Sequence, residues 1–333
     1  MKRKPPSIHD VAKQANVSAA TVSNVLAGRT TVDRELVKRV KAAVLSLGYV
    51  ADASAQRMRS SQSTVAGVLV PDLANPFFGL FVAALEKAAQ RSGIDLLVAS
   101  SGEDPTLEQA RLKALVAWRP IGIVAIPCDV DFAARQHAIA AHIPLIFTDR
   151  IPHQPPADTV AVNNMKSAFD GASTLFRKGH RSILAVASDL RTPNIRERYE
   201  GIKAAAQASE HEIKVEVIEV GSRADEIRPL ISAWINGNDD VTAMFSLTNL
   251  ATFGCFSALK ERGVQMPDRM ALLGFDDYDW MTLTAPSISA IRQPITEMAE
   301  HSWAVLETRL RDPSGVPRNV RLPCEIVWRG STG

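Results

Sequence analysis

The chain predicts an N-terminal all-α helix-turn-helix unit followed by an α/β core of two doubly wound parallel sheets, and three observations carry that prediction. Residues 7–26 hold two short helical patterns joined by a tight polar turn. From Val65 onward, apolar strand-like runs alternate with amphipathic helices in two series of similar size, the alternation that right-handed crossovers between parallel strands impose. Between them, Ser60-Ser61-Gln62-Ser63-Thr64 is a polar linker of the kind that separates domains. The expected division is 1–50 for the helical unit, 51–64 for a short helix and linker, and 65–333 for the core.

Each element has a local cause. Ser7 with Asp10 three residues on forms a capping box. Val11, Ala12 and Ala15 give the first helix one apolar face, and Asn16-Val17-Ser18 makes the turn. Ser18 caps a second helix ending near Gly28. Leu36, Val37, Val40, Val44 and Leu47 recur at helical spacing up to Gly48, predicting a third helix from Asp33 to Leu47. In the core, the first series of strands is 65–70, 96–99, 121–126 and 145–147, with helices over 76–92, 105–118 and 131–142. The second series has strands at 159–162, 182–187, 215–220, 243–246 and 270–273, with helices over 165–178, 196–209, 224–234 and 250–262. Segments 288–292, 295–311, 321–324 and 326–328 are more than the end of a second unit requires.

Charge divides the chain in the same place. Residues 1–64 carry 11 Lys/Arg against 4 Asp/Glu, or +7, whereas residues 65–333 carry 27 against 32, or −5. A basic helix-turn-helix supplies the salt-sensitive phosphate attraction that DNA requires, which a mildly acidic core does not. Cys128, Cys255 and Cys324 are far apart and lack metal-ligand spacing, so reduced buried thiols and no metal are expected. No apolar run follows the basic start, and no stretch approaches the ~20 apolar residues of a membrane helix, so a cytoplasmic protein with no membrane contact is expected. A phosphate loop, a Gly-x-Gly-x-x-Gly after a strand, a nucleophile elbow and a His-Glu-x-x-His helix are all absent from the sequence. The expectation is no enzyme and no cofactor.

The pattern Asp10-Val11-Ala12, Ala15, Val17-Ser18, Thr21-Val22-Ser23 and Val25-Leu26, followed by Leu47-Gly48-Tyr49, closely resembles the LacI/GalR family of bacterial transcription regulators. Further signatures run in order along nearly the whole chain: 70–78, Thr148-Asp149-Arg150, Lys178-Gly179-His180-Arg181, 196–201 and Gly274-Phe275-Asp276-Asp277. The resemblance implies a core like a periplasmic sugar-binding protein, with three chain crossings between two lobes. Lobe 1 is expected at about 65–163 and 292–324, and lobe 2 at about 164–291 and 325–333. It also implies a homodimer on a pseudo-palindromic double-stranded operator, most relatives being repressors.

Matched to the family motif, the base readers in the major groove are Ala19, Ala20 and Asn24. Two alanines offer only apolar contact, and asparagine favours adenine over the guanine that arginine selects. Ser18, Thr21, Ser23, Arg29, Thr30, Thr31 and Arg34 are the expected phosphate contacts, which fix register without reading sequence. Residues 51–59 match the family's hinge helix, with Met58 as the minor-groove wedge and Ala55 against the groove floor. Ala51 and Asp52 replace the usual proline and asparagine, a change expected to weaken hinge ordering or DNA binding.

The resemblance likewise implies a small carbohydrate-type effector held between the lobes at the strand C-termini, as the rule for open α/β sheets also requires. Asp149, Arg196 and Asp276 are the implied central contacts, Phe77 and Phe78 the wall, and Thr248 or Asn249 a further polar contact. Many relatives place an aromatic residue where this chain has Arg223. With Arg196 and Arg150, that arginine suits an anion, so the expected effector is a sugar acid such as gluconate or a ketogluconate. Trp280 is an alternative source of the aromatic face. A neutral sugar, a corepressor, or more remotely a sugar-processing α/β enzyme, are the competing readings.

Overall fold

A computed structural model of the chain describes residues 6–26, 32–49, 63–128, 131–153, 157–238 and 240–333. The chain divides into two units, Met1–Ser63 and Thr64–Gly333.

The first unit contains α1 (Ile8–Ala15), α2 (Ala19–Leu26) and α3 (Arg34–Leu47). The capping box at α1 is complete: Ser7 N–H donates to Asp10 Oδ2 at 2.8 Å and Asp10 N–H to Ser7 Oγ at 3.4 Å. These bonds, Ser7 foremost, hold the Asp10 carboxyl below its ordinary pKa. Asn16, in the left-handed region at φ 51°, ends α1 and turns the chain. Ser18 accepts from Thr21 N–H at 3.1 Å and so starts α2. Val11, Val22 and Val40, one from each helix, have no exposed surface. Each such valine contributes roughly 1.5–3 kcal/mol by its burial, so three short helices that would fray alone stabilise one another.

The second unit holds two six-stranded sheets. The first comprises β1 (Val65–Val70), β2 (Asp95–Ser100), β3 (Ile123–Ala125), β4 (Leu145–Thr148), β5 (Asp158–Val162) and β11 (Asn319–Leu322). Its order is β11-β5-β4-β3-β1-β2, parallel throughout. The second comprises β6 (Ser182–Ala187), β7 (Lys214–Glu219), β8 (Ala243–Ser246), β9 (Ala271–Phe275), β10 (Ser289–Arg292) and β12 (Glu325–Val327). Its order is β12-β10-β9-β8-β6-β7, with only β12 antiparallel. The two orders repeat one doubly wound plan, in which β1/β3 and β6/β8 are the switch points.

Helices α4 (Pro76–Arg91), α5 (Pro105–Ala117), α6 (Arg135–Ala140) and α11 (Ile295–Arg311) go with the first sheet. Helices α7 (Asn164–Arg177), α8 (Pro193–Gln207), α9 (Ala224–Ile235) and α10 (Asn249–Glu261) go with the second. The strands β1, β6, β8 and β9 are almost wholly buried apolar runs, as strands covered on both faces must be. The chain passes between the lobes after β5, after β10 and between β11 and β12. The extra segments at the end of the sequence are thus the second and third crossings and an edge strand for each sheet. Cys324, on the third, packs against both cores, and burial pushes its thiol up to about 11.

Candidate functional site

In the N-terminal unit, Ala20 and Asn24 stand one turn apart on α2, with Ala20 exposed and Asn24 partly so. Ala19, at the start of α2, is partly exposed, and its methyl also packs against the three-helix core. The Thr21 hydroxyl lies 2.9 Å from Ser18 Oγ, so these two expected phosphate contacts also cap α2. Ser23 is partly exposed and Arg34 exposed. Arg29, Thr30, Thr31, Ala55 and Met58, with the 51–59 segment, lie outside the described residues.

In the core, a cavity of about 460 Å³ lies between the lobes, within the usual range for a small-molecule site. It collects residues from strand ends and helix starts of both sheets. Asp149 follows β4 and Asp276 follows β9, so the two carboxylates occupy equivalent places in the two repeats. Both adopt the left-handed region, at φ 62° and 68°, a strained choice for any residue with a Cβ. In each case the N–H donates at 2.9 Å to the neighbouring strand, at Val160 O and Ile291 O. That bond turns the side chain off the strand end and toward the cleft.

Arg198, only 2% exposed, reaches the same cavity from α8. Its Nε donates to Asn164 Oδ1 at 2.8 Å and its Nη1 to Leu247 O at 2.7 Å, and the guanidinium lies 3.5 Å over the Phe275 ring. Burial lowers its pKa from the ordinary value, against the pull of Asp276 and Asp149, but an arginine keeps its charge. Burial likewise raises both carboxyls above the ordinary range, opposed chiefly by Arg198.

Amides complete the wall and bridge the lobes. Asn194 Nδ2 donates to Asp149 Oδ2 at 3.0 Å, and Asn249 Nδ2 donates to Asn75 Oδ1 at 2.8 Å. Gln293, on the second crossing, donates from Nε2 to Asp276 Oδ1 at 2.6 Å. After these bonds, three buried oxygens on cavity-lining residues have no partner: Asp149 Oδ1, Asn249 Oδ1 and Gln293 Oε1. All three are acceptors with almost no accessible surface in this arrangement, so an occupant that satisfies them must bring O–H or N–H donors and must shift part of the wall to reach them.

Of the residues expected at this site, Phe77, Phe78, Asp149, Arg150, Thr248, Asn249 and Asp276 line the cavity. Phe77 and Phe78 meet edge to face at 5.3 Å, and the Thr248 hydroxyl caps α10 by accepting from Ala251 N–H at 3.2 Å. The structure puts Arg196, Arg223 and Trp280 elsewhere, which corrects the expectation for each. Helix α8 starts at Pro193 and not at Arg196. Arg196 is therefore on its exposed face, donating to Leu190 O at 2.9 Å, and Arg198 takes the inward place. Arg223 leads into α9 and pairs outward with Asp225 at 3.1 Å and Glu226 at 2.8 Å. Trp280, partly buried, packs against the second lobe's core, edge-on to the exposed Phe253 at 5.4 Å.

The expectations also left out Asn75, Glu103, Asn194, Arg198 and Gln293. The Thr192-Pro193 pair, a cap followed by the residue favoured at a first helical position, was the available signal for the true start of α8. Glu103 and Gln293 carry no local signal. Cys128 also lines the cavity, but burial pushes its thiol up to about 12, which leaves it protonated and unreactive. Among the described residues, no group of three His, Cys, Asp or Glu is arranged to hold a metal ion. Nor is any described helix long and apolar enough to cross a membrane.

A basic helix-turn-helix unit joined to a two-lobed core with a polar interlobe cavity defines a ligand-responsive, DNA-binding regulator. Residues 7–52 match the family of bacterial regulatory proteins, lacI family, and residues 172–332 match the periplasmic binding protein-like domain. The protein belongs to the LacI family of DNA-binding transcriptional regulators. It is 24% identical to the HTH-type transcriptional regulator DegA of Bacillus subtilis, over 98% of each chain. It is 27% identical to the HTH-type transcriptional regulator PtxS of Pseudomonas plecoglossicida, over 98% of this chain and 95% of that one. Among solved structures, the lac repressor dimer bound to operator and the anti-inducer ONPF shares the fold with a TM-score of 0.82, at 24% identity over 99% of both chains. These relatives are regulators and not enzymes.

Proposed function

We propose that the protein is a repressor that binds a pseudo-palindromic operator as a homodimer and changes its operator affinity when a small polyhydroxylated carbohydrate occupies the interlobe cavity. The observation that carries the effector reading is the set of three unpartnered buried acceptors, Asp149 Oδ1, Asn249 Oδ1 and Gln293 Oε1. Sugar hydroxyls supply donors to all three, Phe77 and Phe78 offer an apolar face, and Arg198 donates where a hydroxyl or ring oxygen accepts. The relatives point the same way: one is named a ribose operon repressor, and one solved neighbour is a CelR–cellobiose complex.

A sugar acid such as gluconate or a ketogluconate is the second reading. Arg223 no longer supports it, since that side chain is 69% exposed and paired with two carboxylates. What favours it is that Arg150 and Arg191 both line the cavity.

Coupling follows from linkage: an effector that binds one lobe arrangement better shifts the population toward it, and operator affinity shifts by the reciprocal factor. The test is fluorescence anisotropy on a pool of pseudo-palindromic duplexes, with and without neutral sugars and sugar acids. Selective operator binding that one neutral sugar weakens is expected. Operator binding that only an acid changes would transfer the effector to the second reading, and no selective DNA binding would overturn the repressor assignment.

A further inference from the structure

Arg150 and Glu103 face each other in the cavity wall. Both nitrogens at the end of the guanidinium are engaged, Nη1 with Glu103 Oε2 and Nη2 with Glu103 Oε1, each at 2.8 Å. The pair is largely withdrawn from water: the Arg150 side chain is 12% exposed and that of Glu103 33%. The guanidinium also lies 5.5 Å from the centre of the Phe78 ring, part of the same wall.

Glu103 is held in place by its backbone. Gly102 and Glu103 are consecutive left-handed residues, at φ 62° and 59°, and Glu103 N–H donates to Pro71 O at 3.2 Å. The next residue, Asp104, caps α5 by accepting from Thr106 N–H at 2.7 Å. A left-handed glutamate is disfavoured, and here it carries a carboxylate across the end of β4 onto the arginine that follows Asp149.

Three arginines line the cavity, and each has carboxylates beside it. Arg198 feels the charges of Asp276 and Asp149, Arg191 pairs with Asp189 at 2.6 Å, and Arg150 pairs with Glu103. The Arg191 pair is different in kind, since its guanidinium is 86% exposed and free to exchange partners in water. Arg198 is already held by Asn164 and Leu247 O and by the two buried aspartates, so Arg150 is the other largely buried cation that an anionic ligand would use, and its fork is already filled in the bidentate geometry a ligand carboxylate would adopt.

We infer that Glu103 is the residue that determines the charge selectivity of the effector cavity: by neutralising and occluding Arg150 it biases the site toward uncharged polyols and against sugar acids. This rests on the reading of the cavity as a carbohydrate site. Glu103 acts through Arg150 and also leaves carboxylate oxygen at the wall for a hydroxyl to reach. Removing its charge leaves Arg150 a cation beside a cavity that a sugar carboxylate can enter.

The full-length protein is compared with Glu103→Gln and with the double variant Glu103→Gln/Arg150→Gln. Binding is read by calorimetry and thermal shift for matched aldose and aldonate pairs, glucose with gluconate and ribose with ribonate, with sodium chloride at equal ionic strength as control. In wild type, the aldonates are expected to bind at least about tenfold more weakly than the aldoses. Glu103→Gln should raise aldonate affinity at least about tenfold, the scale of one charge-assisted contact, and the double variant should lose that gain. Circular dichroism and operator binding establish that each variant is folded, with Glu103→Ala as the substitute should glutamine not be tolerated. An aldonate-to-aldose ratio unchanged by the loss of Glu103 overturns the inference and leaves the carbohydrate site standing. Failure of every aldose and aldonate to bind any of these proteins removes the carbohydrate reading, and the inference with it.

Discussion

At the scale of single residues, the paired carboxylates Asp149 and Asp276 hold opposing demands. Burial raises both pKa values, so the folded core binds protons more readily there than the unfolded chain does. By linkage, these two groups make the fold less stable as pH rises from the unfolded carboxylate value through the raised one, and more stable as pH falls. Ligand binding runs the other way, because a protonated carboxyl loses acceptor capacity that a sugar hydroxyl needs. Asp149→Asn removes the buried charge yet keeps an oxygen for the Asn194 donor. It should melt roughly 2–4 °C above wild type at pH 8, about the shift 1 kcal/mol gives in a domain of this size, with the gap closing as pH falls through the raised value to that of an unfolded carboxylate. Its effector response should be lost at the same time. Scanning fluorimetry across pH, with ligand titration at each point, checks both halves; a variant less stable than wild type at pH 8 would contradict the assignment of the cost to buried charge. Arg223→Ala, by contrast, should leave effector response within about twofold, as exposed ion pairs contribute little. Effector titration of that variant against wild type decides whether Arg223 stays out of the cavity, as its outward pairing with Asp225 and Glu226 implies.

At the scale of elements, the register of α8 determines which arginine enters the site. At 3.6 residues per turn, Arg196 and Arg198 lie on nearly opposite faces, so placing the helix start three residues late exchanges their roles. Its packing against α7 is just as exacting. A Cβ at Gly201 would overlap the Met165 carbonyl oxygen and crowd the Ala168 methyl, and that oxygen belongs to helical backbone that cannot easily move. Gly201→Ala should therefore destabilise the core by about 1–3 kcal/mol, seen as a lower unfolding midpoint, and should weaken effector binding because Arg198 shares the helix. In the other unit, Ser7→Ala breaks the capping box and should cost about 1 kcal/mol. Its signature is operator affinity lost while effector affinity is retained, which separate titrations of DNA and ligand resolve. The helices and strands themselves were legible because each carries its own cap, periodicity or breaker, and most fall within two residues of where their sequence places them.

At the scale of the whole molecule, a chain of formal net charge +2 works as a cationic unit of +7 and an anionic core of −5 over residues 1–64 and 65–333. The electrostatic part of operator binding is thus carried by the first unit, and affinity should fall by about 10³-fold or more between 50 and 200 mM salt if six or more phosphates are neutralised. Effector binding in the cavity should change little over the same range, because ion pairs as buried as Arg150–Glu103 are weakly screened. Anisotropy and calorimetry at matched salt test the contrast. By itself, the sequence determined the class of protein: the helix-turn-helix, the doubled α/β plan and the strand-end carboxylates Asp149 and Asp276 rest on local periodicity, caps and motif spacing that neighbouring residues encode. Only the tertiary structure decided which side chains gather around those carboxylates and how their charges are paired. Arg198 enters through helix phase, Gln293 through a chain crossing, and Glu103 reaches Arg150 across 47 residues of sequence, because folding closes distances that no local pattern records.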